Sequence, residues 1–212
     1  MTDDVDAVLG RRITQCIRLP ALDDNQDALP ARADGKLIVA AGRLCDVKGF
    51  DVALRAFARL EDQQARLVIL GEGPGRPALE ALASELGVTG VTFAGRVSSD
   101  AMGALYEDAD IYINASSIDN MPLSIMDAFA TGVPVVSTNA GGIPYLVRDG
   151  VTGLLVDVED CGALARASLR LLSDPALALR IADEARRECL ERFQWDVVRE
   201  QWERTYLTLA TR

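Results

Sequence analysis

Apolar residues in this chain alternate between two spacings from Leu37 onward. Short continuous apolar runs, typical of strands buried on both faces, are followed by stretches with apolar residues every three or four positions, typical of helices. The predicted strands have the sequences LIVAA, RLVIL, VTFA, IYIN, VPVVST and TGLLV. Strands that alternate with helices predict right-handed crossovers and a parallel sheet covered on both faces. The predicted fold class is therefore α/β, with a doubly wound, Rossmann-like parallel sheet.

The pattern becomes entirely helical after Asp157, which predicts a C-terminal helical extension. The last of these helices carries an aromatic stripe at spacings of three and four residues, formed by Trp195, Val198, Trp202 and Tyr206. Packing against the core is the default interpretation of such a stripe.

The first 36 residues lack this alternation and contain two of the chain's prolines close together. We interpret residues 1–36 as a lead-in or linker remnant, with a candidate strand over residues 13–19. The predicted domain therefore spans residues 37–212, including the C-terminal helices.

A ligand of such a sheet is expected outside the carboxyl ends of its strands. The loops predicted at that edge are residues 42–48, 71–75, 95–98, 115–121 and 138–143. A helix is predicted to begin at Pro122, because proline suits the first helical position. The next backbone N–H groups have no partner within a helix, so this helix start is a candidate anion site.

Two carboxylates accompany that helix start. Asp119 lies just before it, and Asp127 lies eight residues later, on the helix face that Leu123 and Ser124 share. Carboxylates beside an anion site suggest a ligand with both phosphates and hydroxyls. The alternative is that Asp119 starts an Asx-turn and Asp127 sits on a solvated face. The stretch alone favours neither interpretation.

Two cations follow the first strand, in the sequence GRLCDVKG from Gly42 to Gly49. Arg43 offers a planar fork of donors and Lys48 a point charge, a combination suited to a diphosphate. Lysine occurs only at positions 36 and 48. The alternative is that both residues are ordinary surface cations on an acidic protein.

Composition excludes several classes of function. A hydrophobic fraction of 49% and a charged fraction of 25% are typical of globular proteins, and the net charge of −10 argues against nucleic-acid binding. The four cysteines lack CxxC spacing and the chain has no histidine, so we expect no metal site and no His-based catalysis. No apolar run could span a bilayer and no signal peptide is evident, so we expect a cytoplasmic protein.

One further acidic motif, Asp108-Ala109-Asp110, has the DxD form found in metal-dependent sugar-nucleotide enzymes. We interpret these residues as boundary positions, with Asp108 closing a helix and Asp110 opening a strand. The sequence GEGPGRP at residue 71 is not a P-loop, because it lacks the Gly-Lys-Ser/Thr ending.

Taken together, these segments resemble the C-terminal, donor-binding domain of GT-B fold glycosyltransferases of the retaining group 1, or family 4, type. The matching pieces include AAGRLCDVKGFDVALRAF, LVILGEGPGRPALEALASELGV, VTFAGRV, DGVTGLLV and the long stretch from YEDAD to GGIPYLV. The resemblance extends from Leu37 to about Leu207. Asp119 and Asp127 stand where such enzymes carry two glutamates separated by seven residues.

The resemblance implies a role for each matching position. Arg43 and Lys48 would grip the diphosphate of a nucleotide-diphospho-sugar such as a UDP-sugar, and with Asp119 they are the catalytic candidates. The substrate-binding candidates are Gly42, Val97, Asn120, Met121, Pro122, Leu123, Ser124 and Asp127. Asp127 would accept hydrogen bonds from ribose hydroxyls, and the backbone of Val97 would hold the base. Enzymes of this type need no metal and no cofactor.

This chain departs from the family pattern in two ways. Both acidic positions carry Asp rather than Glu, which shortens each reach by about 1.3 to 1.5 Å and favours water-mediated contacts. A GT-B enzyme also has an N-terminal acceptor-binding domain, and 36 residues are too few to form one. That domain would act in cis in a longer protein or in trans, and any peripheral membrane contact would belong to it.

Three functions are therefore open at this point. The first is the donor-binding half of a hexosyltransferase. The second is a non-catalytic, degenerate GT-B module that binds a partner, which the two Asp substitutions favour and the retained Arg43 and Lys48 oppose. The third is a sugar-nucleotide epimerase of the same architecture, which fits less well because the order of segments follows the transferases.

Overall fold

Strands and helices alternate in the computed structural model, which describes residues 35–60 and 64–210. The strands are β1 (Leu37–Ala41), β2 (Arg66–Leu70), β3 (Val91–Gly95), β4 (Ile111–Asn114), β5 (Val135–Thr138) and β6 (Leu154–Val156). The α-helices are α1 (Phe50–Phe57), α2 (Arg76–Glu85), α3 (Ser99–Asp108), α4 (Leu123–Thr131), α5 (Ile143–Leu146), α6 (Cys161–Ser173), α7 (Pro175–Phe193) and α8 (Trp195–Ala210). A 3₁₀ helix, Asp46–Lys48, lies between β1 and α1. The candidate strand at residues 13–19 lies outside the described residues.

The described strands form one parallel sheet in the order β3-β2-β1-β4-β5-β6. The chain moves outward from β1 through β2 to β3, and then crosses to β4 on the other side of β1. Helices follow the strands, so the predicted doubly wound, Rossmann-like α/β fold with a C-terminal helical extension is confirmed.

Strand β1 is apolar throughout because its two faces contribute to two cores. Ile38 and Ala40 belong to a core beneath α1, α2 and α6, whereas Leu37 and Val39 belong to a core beneath α3, α4 and α5. Successive side chains of a strand point to opposite faces, so a covered sheet requires apolar residues at every position. Helix α7 contributes to both cores, because Ile181 packs in the first and the residues near its C-terminus pack in the second.

The expectation that Pro122 occupies the first helical position is wrong by one residue. Helix α4 begins at Leu123, and Pro122 is its N-cap with φ −66° and ψ 113°. The φ angle suits a helix, but the extended ψ places the proline just outside it. The first helical bond is donated by Ile125 N to Pro122 O at 3.1 Å.

The expectation that the aromatic stripe of α8 packs against the core is wrong for Trp202 and Tyr206. Trp195 and Val198 are half-buried, but Trp202 and Tyr206 are 59% and 61% exposed. Their rings contact each other at 5.8 Å between centroids. The physical reason is that α8 packs against α7, and from Glu200 onward its described side chains are exposed, with no core beneath them.

No helix within residues 35–60 and 64–210 has the length and apolar character needed to cross a bilayer.

Candidate active site at the carboxyl edge of the sheet

The strand order creates a crevice between the carboxyl ends of β1 and β4. The strand order reverses at this point, and the helices that follow β1 and β4 pack on opposite faces of the sheet. Ligands of open α/β sheets bind at such a switch point. The loop after β1 carries Arg43 and Lys48, and the loop after β4 carries Asp119.

The loop after β1 is held in place by its neighbours. Gly42 N donates to Leu70 O at 3.0 Å, and the buried Leu44 exchanges backbone hydrogen bonds with Glu72 and Gly75 in the loop after β2. These contacts fix the path of the chain up to the 3₁₀ helix that ends at Lys48. Backbone bonds to a buried anchor make this a preorganised loop.

Gly49 lets this loop approach the loop after β4. Its φ is +62°, in the left-handed region, and a Cβ placed there would lie 2.0 Å from the carbonyl oxygen of Ala115. Ser117 N also donates to Val47 O at 2.9 Å. The two loops therefore pack backbone against backbone, which only glycine permits at this position.

Lys48 and Asp119 meet directly in the crevice. Lys48 Nζ donates to Asp119 Oδ2 at 2.5 Å, across 71 residues of sequence. The lysine side chain is 28% exposed and the aspartate side chain 12% exposed. A partly desolvated pair of this kind interacts more strongly than one on an open surface, yet the ammonium group still reaches solvent.

The backbone around Asp119 is positioned by the loop after β5. Gly142 N donates to Asp119 O at 2.8 Å. A Cβ at Gly141, where φ is +53°, would lie 2.2 Å from Asp119 O, and a Cβ at Gly142 would lie 2.1 Å from Asn120 O. The loops after β1, β4 and β5 thus meet at Asp119, the first through its side chain and the last through its backbone.

The amino end of α4, at Leu123, lies four residues beyond Asp119. The N–H groups of Leu123 and Ser124 precede the first helical bond, and no side chain of the described residues caps the helix. A helix start with unpaired donors attracts anions. Lys48, through its contact with Asp119, and this helix end are therefore two sources of positive potential at this edge of the sheet.

Asp127 is buried one turn further into the same helix. The residue is 8% exposed, its Oδ1 atom has no hydrogen-bond partner among the described residues, and burial raises its pKa to about 7. The alternative that it sits on a solvated face is therefore wrong. It lines a cavity of about 360 Å³ between α3 and α4, together with Tyr106 and Thr131.

A buried carboxyl with a raised pKa predicts pH-dependent stability. Between its unfolded value near 4 and about 7, the folded state binds more protons than the unfolded state, so the residue costs stability as pH rises through that window. We expect Asp127→Asn to stabilise the protein by roughly 2 to 3 kcal/mol more at pH 8 than at pH 5. Urea denaturation at the two pH values measures this.

The variant Asp51→Asn, at an exposed position of α1, controls for the change in net charge in that experiment. If Asp127→Asn changes the free energy of unfolding equally at both pH values, Asp127 does not hold a proton in the folded protein near neutrality.

Two tyrosines that the sequence analysis did not single out lie between the end of β1 and the first turn of α4. Tyr112 OH donates to Ala41 O at 3.2 Å, and Tyr106 OH donates to Ser124 O at 3.4 Å. The rings stack at 5.6 Å, and burial raises the pKa of Tyr112 to about 12. They link the end of β1 to the first turn of α4. The available signal was a tyrosine in a strand covered on both faces, whose hydroxyl needs a buried partner.

The other predicted site residues are spread along the carboxyl edge of the sheet. Arg43 is exposed on the loop after β1 and forms no hydrogen bond or ion pair with the residues that the structure describes. Asn120 and Met121 are exposed at the crevice. Val97 is half-buried after β3, at the edge of the sheet and two strands from β1, and packs on the core beneath α3.

The Asp108-Ala109-Asp110 motif lies at the opposite, amino edge of the sheet. Asp108 is the last residue of α3, and Asp110 immediately precedes β4. Asp110 accepts hydrogen bonds from Leu37 N at 2.8 Å and from Lys36 Nζ at 3.2 Å. It therefore joins the starts of β1 and β4, in agreement with its interpretation as a boundary residue.

Known proteins are similar to this chain in both sequence and fold. The sequence profile of the family described as "Glycosyl transferases group 1" matches residues 23–188. The lipopolysaccharide core biosynthesis glycosyltransferase LpsE of Rhizobium meliloti is 33% identical over 171 residues, which are 80% of this chain and 49% of LpsE.

Solved structures give the same result for the fold. A sucrose-phosphate synthase from Thermosynechococcus elongatus superposes with a TM-score of 0.80 at 28% identity, covering 92% of this chain and 50% of the synthase. HepE of Anabaena, in complex with UDP-glucose, has a TM-score of 0.76 at 23% identity, over 82% of this chain and 49% of HepE.

The chain spans about half the length of each of these proteins. Its parallel sheet corresponds to one half of a GT-B glycosyltransferase, and the placement fits the C-terminal domain. By the extent of the sequence match and the agreement of the fold, this chain belongs to the group 1 family of glycosyltransferases.

Proposed function

We propose that this chain is the donor-binding half of a retaining, metal-independent glycosyltransferase of the family 4 type. It binds a nucleotide-diphospho-sugar, and the complete protein transfers the hexose to an acceptor. UDP is the nucleoside diphosphate we place first, because HepE was crystallised with UDP-glucose. The single observation that carries the proposal is the Lys48–Asp119 pair at the switch point, beside the uncapped start of α4.

The diphosphate lies between Lys48 and the amino end of α4 in this proposal. In this arrangement the ammonium group and the N–H groups of Leu123 and Ser124 would contact the same phosphates. Arg43, exposed on the neighbouring loop, swings toward the phosphates when they are bound. These cations stabilise the charge that develops on the leaving diphosphate, which is the role that a metal ion has in other transferases.

The sugar lies against Asp119 and the residues that follow it. The Asp119 carboxylate is held on its inner side, and its exposed edge accepts hydrogen bonds from sugar hydroxyls. The backbone of Asn120, Met121 and Pro122 borders the same space, because the loop after β5 fixes it there. A short Asp in place of Glu favours a water between the carboxylate and the sugar.

The nucleoside extends from the diphosphate toward α3. Gly42 borders the start of the crevice in this proposal. The buried Oδ1 atom of Asp127 has no hydrogen-bond partner among the residues that the structure describes, so it is suited to a ribose hydroxyl. The backbone of Val97, after β3, would contact the base. Binding of the ribose to the ionised carboxylate would release the proton that Asp127 holds near neutral pH.

Residues 37–212 form the donor domain in this proposal, and residues 1–36 form a lead-in or linker. Catalysis requires an acceptor-binding domain, in cis in a longer protein or in trans from another chain. Nucleic acid is not a partner, and any peripheral membrane association belongs to the acceptor domain. We place the protein in the cytoplasm, where nucleotide sugars are made.

Isothermal titration of the chain with UDP-glucose, GDP-mannose and ADP-glucose tests the proposal. We expect saturable binding of at least one of them, weaker for the corresponding nucleoside monophosphate. Absence of binding by all three at millimolar concentration, with the circular dichroism spectrum of a folded protein, would contradict donor binding. That result would instead favour the degenerate, partner-binding module.

A further inference from the structure

A buried chain of polar side chains stands behind Asp119. It begins at Ser137 in β5, where Oγ accepts from Asn114 Nδ2 at 3.1 Å. Asn114, the last residue of β4, accepts in turn from Ser116 Oγ at 2.7 Å. Ser116 Oγ also lies 3.4 Å from Asp119 Oδ2. These residues lie outside the set that the sequence singled out.

Ser116 has little freedom to move within this chain. It is fully buried, and its backbone oxygen accepts from Thr138 Oγ1 at 2.6 Å. Asn114 and Ser137 are buried as well. Buried polar groups persist in a core only when they are hydrogen-bonded, and a connected network of them holds a single geometry. The hydroxyl of Ser116 is therefore presented to Asp119 from a fixed position.

The Ser116 hydroxyl has one hydrogen and two acceptors within reach. Asp119 as a carboxylate only accepts, so the contact between them requires Ser116 to be the donor. While Lys48 neutralises Oδ2, the shorter bond goes to the Asn114 side chain. A carboxylate without its cation is the stronger acceptor of the two, because bonds to ionised groups are about twice as strong.

We infer that Ser116 is a positioning residue, whose hydroxyl holds the Asp119 carboxylate in place when a bound diphosphate draws Lys48 away from it. Asn114 and Ser137 fix the location of that hydroxyl. In the structure Lys48 and Asp119 are paired with each other. Binding a donor therefore requires part of this ion pair to be exchanged for contacts with the ligand. Ser116 supplies the donor that compensates Asp119 during the exchange.

This inference rests on the proposed donor site, and a double-mutant cycle separates the two. We expect Ser116→Ala to weaken binding of the tightest of UDP-glucose, GDP-mannose and ADP-glucose about tenfold, the effect of one hydrogen bond to a charged group. In the background of Asp119→Asn, which has no carboxylate to hold, the same change should alter affinity less than twofold. Isothermal titration gives all four affinities.

Ser117→Ala is the matched control. Its hydroxyl lies in the same loop but contacts Val47 O, at 3.4 Å, rather than Asp119. We expect the affinity of the Ser117→Ala variant for the nucleotide sugar to stay within twofold of the wild type. A merely structural role for Ser116 would give the same loss with and without the Asp119 carboxylate, and that additivity would overturn the inference. So would an unchanged affinity in Ser116→Ala itself.

Ser116→Ala leaves Asn114 Oδ1 without its donor, so a second variant guards against loss of the fold. Ser116→Cys keeps the shape of the side chain, with a slightly larger sulfur atom, but donates a much weaker hydrogen bond. The same non-additivity with Asp119→Asn is expected for it. If the wild-type chain binds none of the three nucleotide sugars, the proposed function fails and this inference falls with it, an outcome distinct from additive losses.

Discussion

Lys48→Ala is expected to weaken binding of the nucleoside diphosphate roughly 10- to 100-fold, the effect of losing a charge-assisted hydrogen bond to phosphate. The loss should lie toward the upper end, because Asp119 then keeps its negative charge without its cation, at 12% exposure beside the ligand. Affinity for the bare nucleoside should change less than twofold. Isothermal titration with the diphosphate and the nucleoside gives this ratio.

The other lysine of the chain is the matched control. Lys36 pairs with Asp110 at 3.2 Å, at the amino edge of the sheet, and is 40% exposed. Lys36→Ala also removes one positive charge, but at the amino end of β1, far from the proposed site. The affinity of this variant for the diphosphate should therefore stay within twofold of the wild type. Equal losses for diphosphate and nucleoside in Lys48→Ala would exclude a diphosphate role for that residue.

Gly49→Ala is expected to lower the free energy of unfolding by about 2 to 5 kcal/mol. The new side chain would have to adopt a φ of +62° and would place its Cβ 2.0 Å from Ala115 O. Left-handed backbone costs about 1 to 2 kcal/mol for a residue with a Cβ, and overpacking adds about 1 to 3. Because the loop carrying Lys48 must move away from Ala115, nucleotide affinity should fall as well. Urea denaturation measures the stability.

Gly87→Ala separates these two causes. Gly87 has a nearly identical φ of +63°, but a Cβ there would meet no atom within 4 Å. It should lose only the backbone part, about 1 to 2 kcal/mol, and keep full nucleotide affinity. Similar losses of stability in both variants would mean that the contact with Ala115 does not constrain the loop after β1.

The sequence predicted the fold well because the covered sheet leaves a direct record in the chain. A continuous run such as that of β1, Leu37–Ala41, occurs when both faces are buried, and helical spacing after each run requires crossovers. Together these features determine a parallel sheet and place the ligand edge. The order of the strands does not follow from them, because any right-handed arrangement would give the same spacing.

The site was predicted less completely, because its contacts join residues distant in sequence. Nothing near Lys48 indicates that its partner is Asp119, 71 residues later. The polar chain through Asn114 and Ser116 reads as the ordinary end of a strand, and its burial depends on the loop after β5. Asp127 resembles a surface residue of a helix until α3 covers it. These features arise from packing between elements, which local pattern does not encode.

The aromatic residues of α8 are a case in which the sequence pattern suggests burial and the structure shows exposure. Spacings of three and four residues identify one face of a helix but not what lies against it. Trp202 and Tyr206 share the face of the half-buried Trp195, yet they extend beyond the core of the described residues. The spacing predicts the helix correctly. Whether its aromatic face is buried depends on how α8 packs against α7, which the spacing does not show.

The most direct test is a crystal structure of the chain with the nucleoside diphosphate that binds most tightly. We expect the diphosphate in the crevice between β1 and β4, with its oxygens within hydrogen-bond distance of Lys48 Nζ and the first N–H groups of α4. A diphosphate found instead in the larger groove of about 870 Å³ between α1 and α2, behind the 3₁₀ helix that carries Lys48, would contradict it.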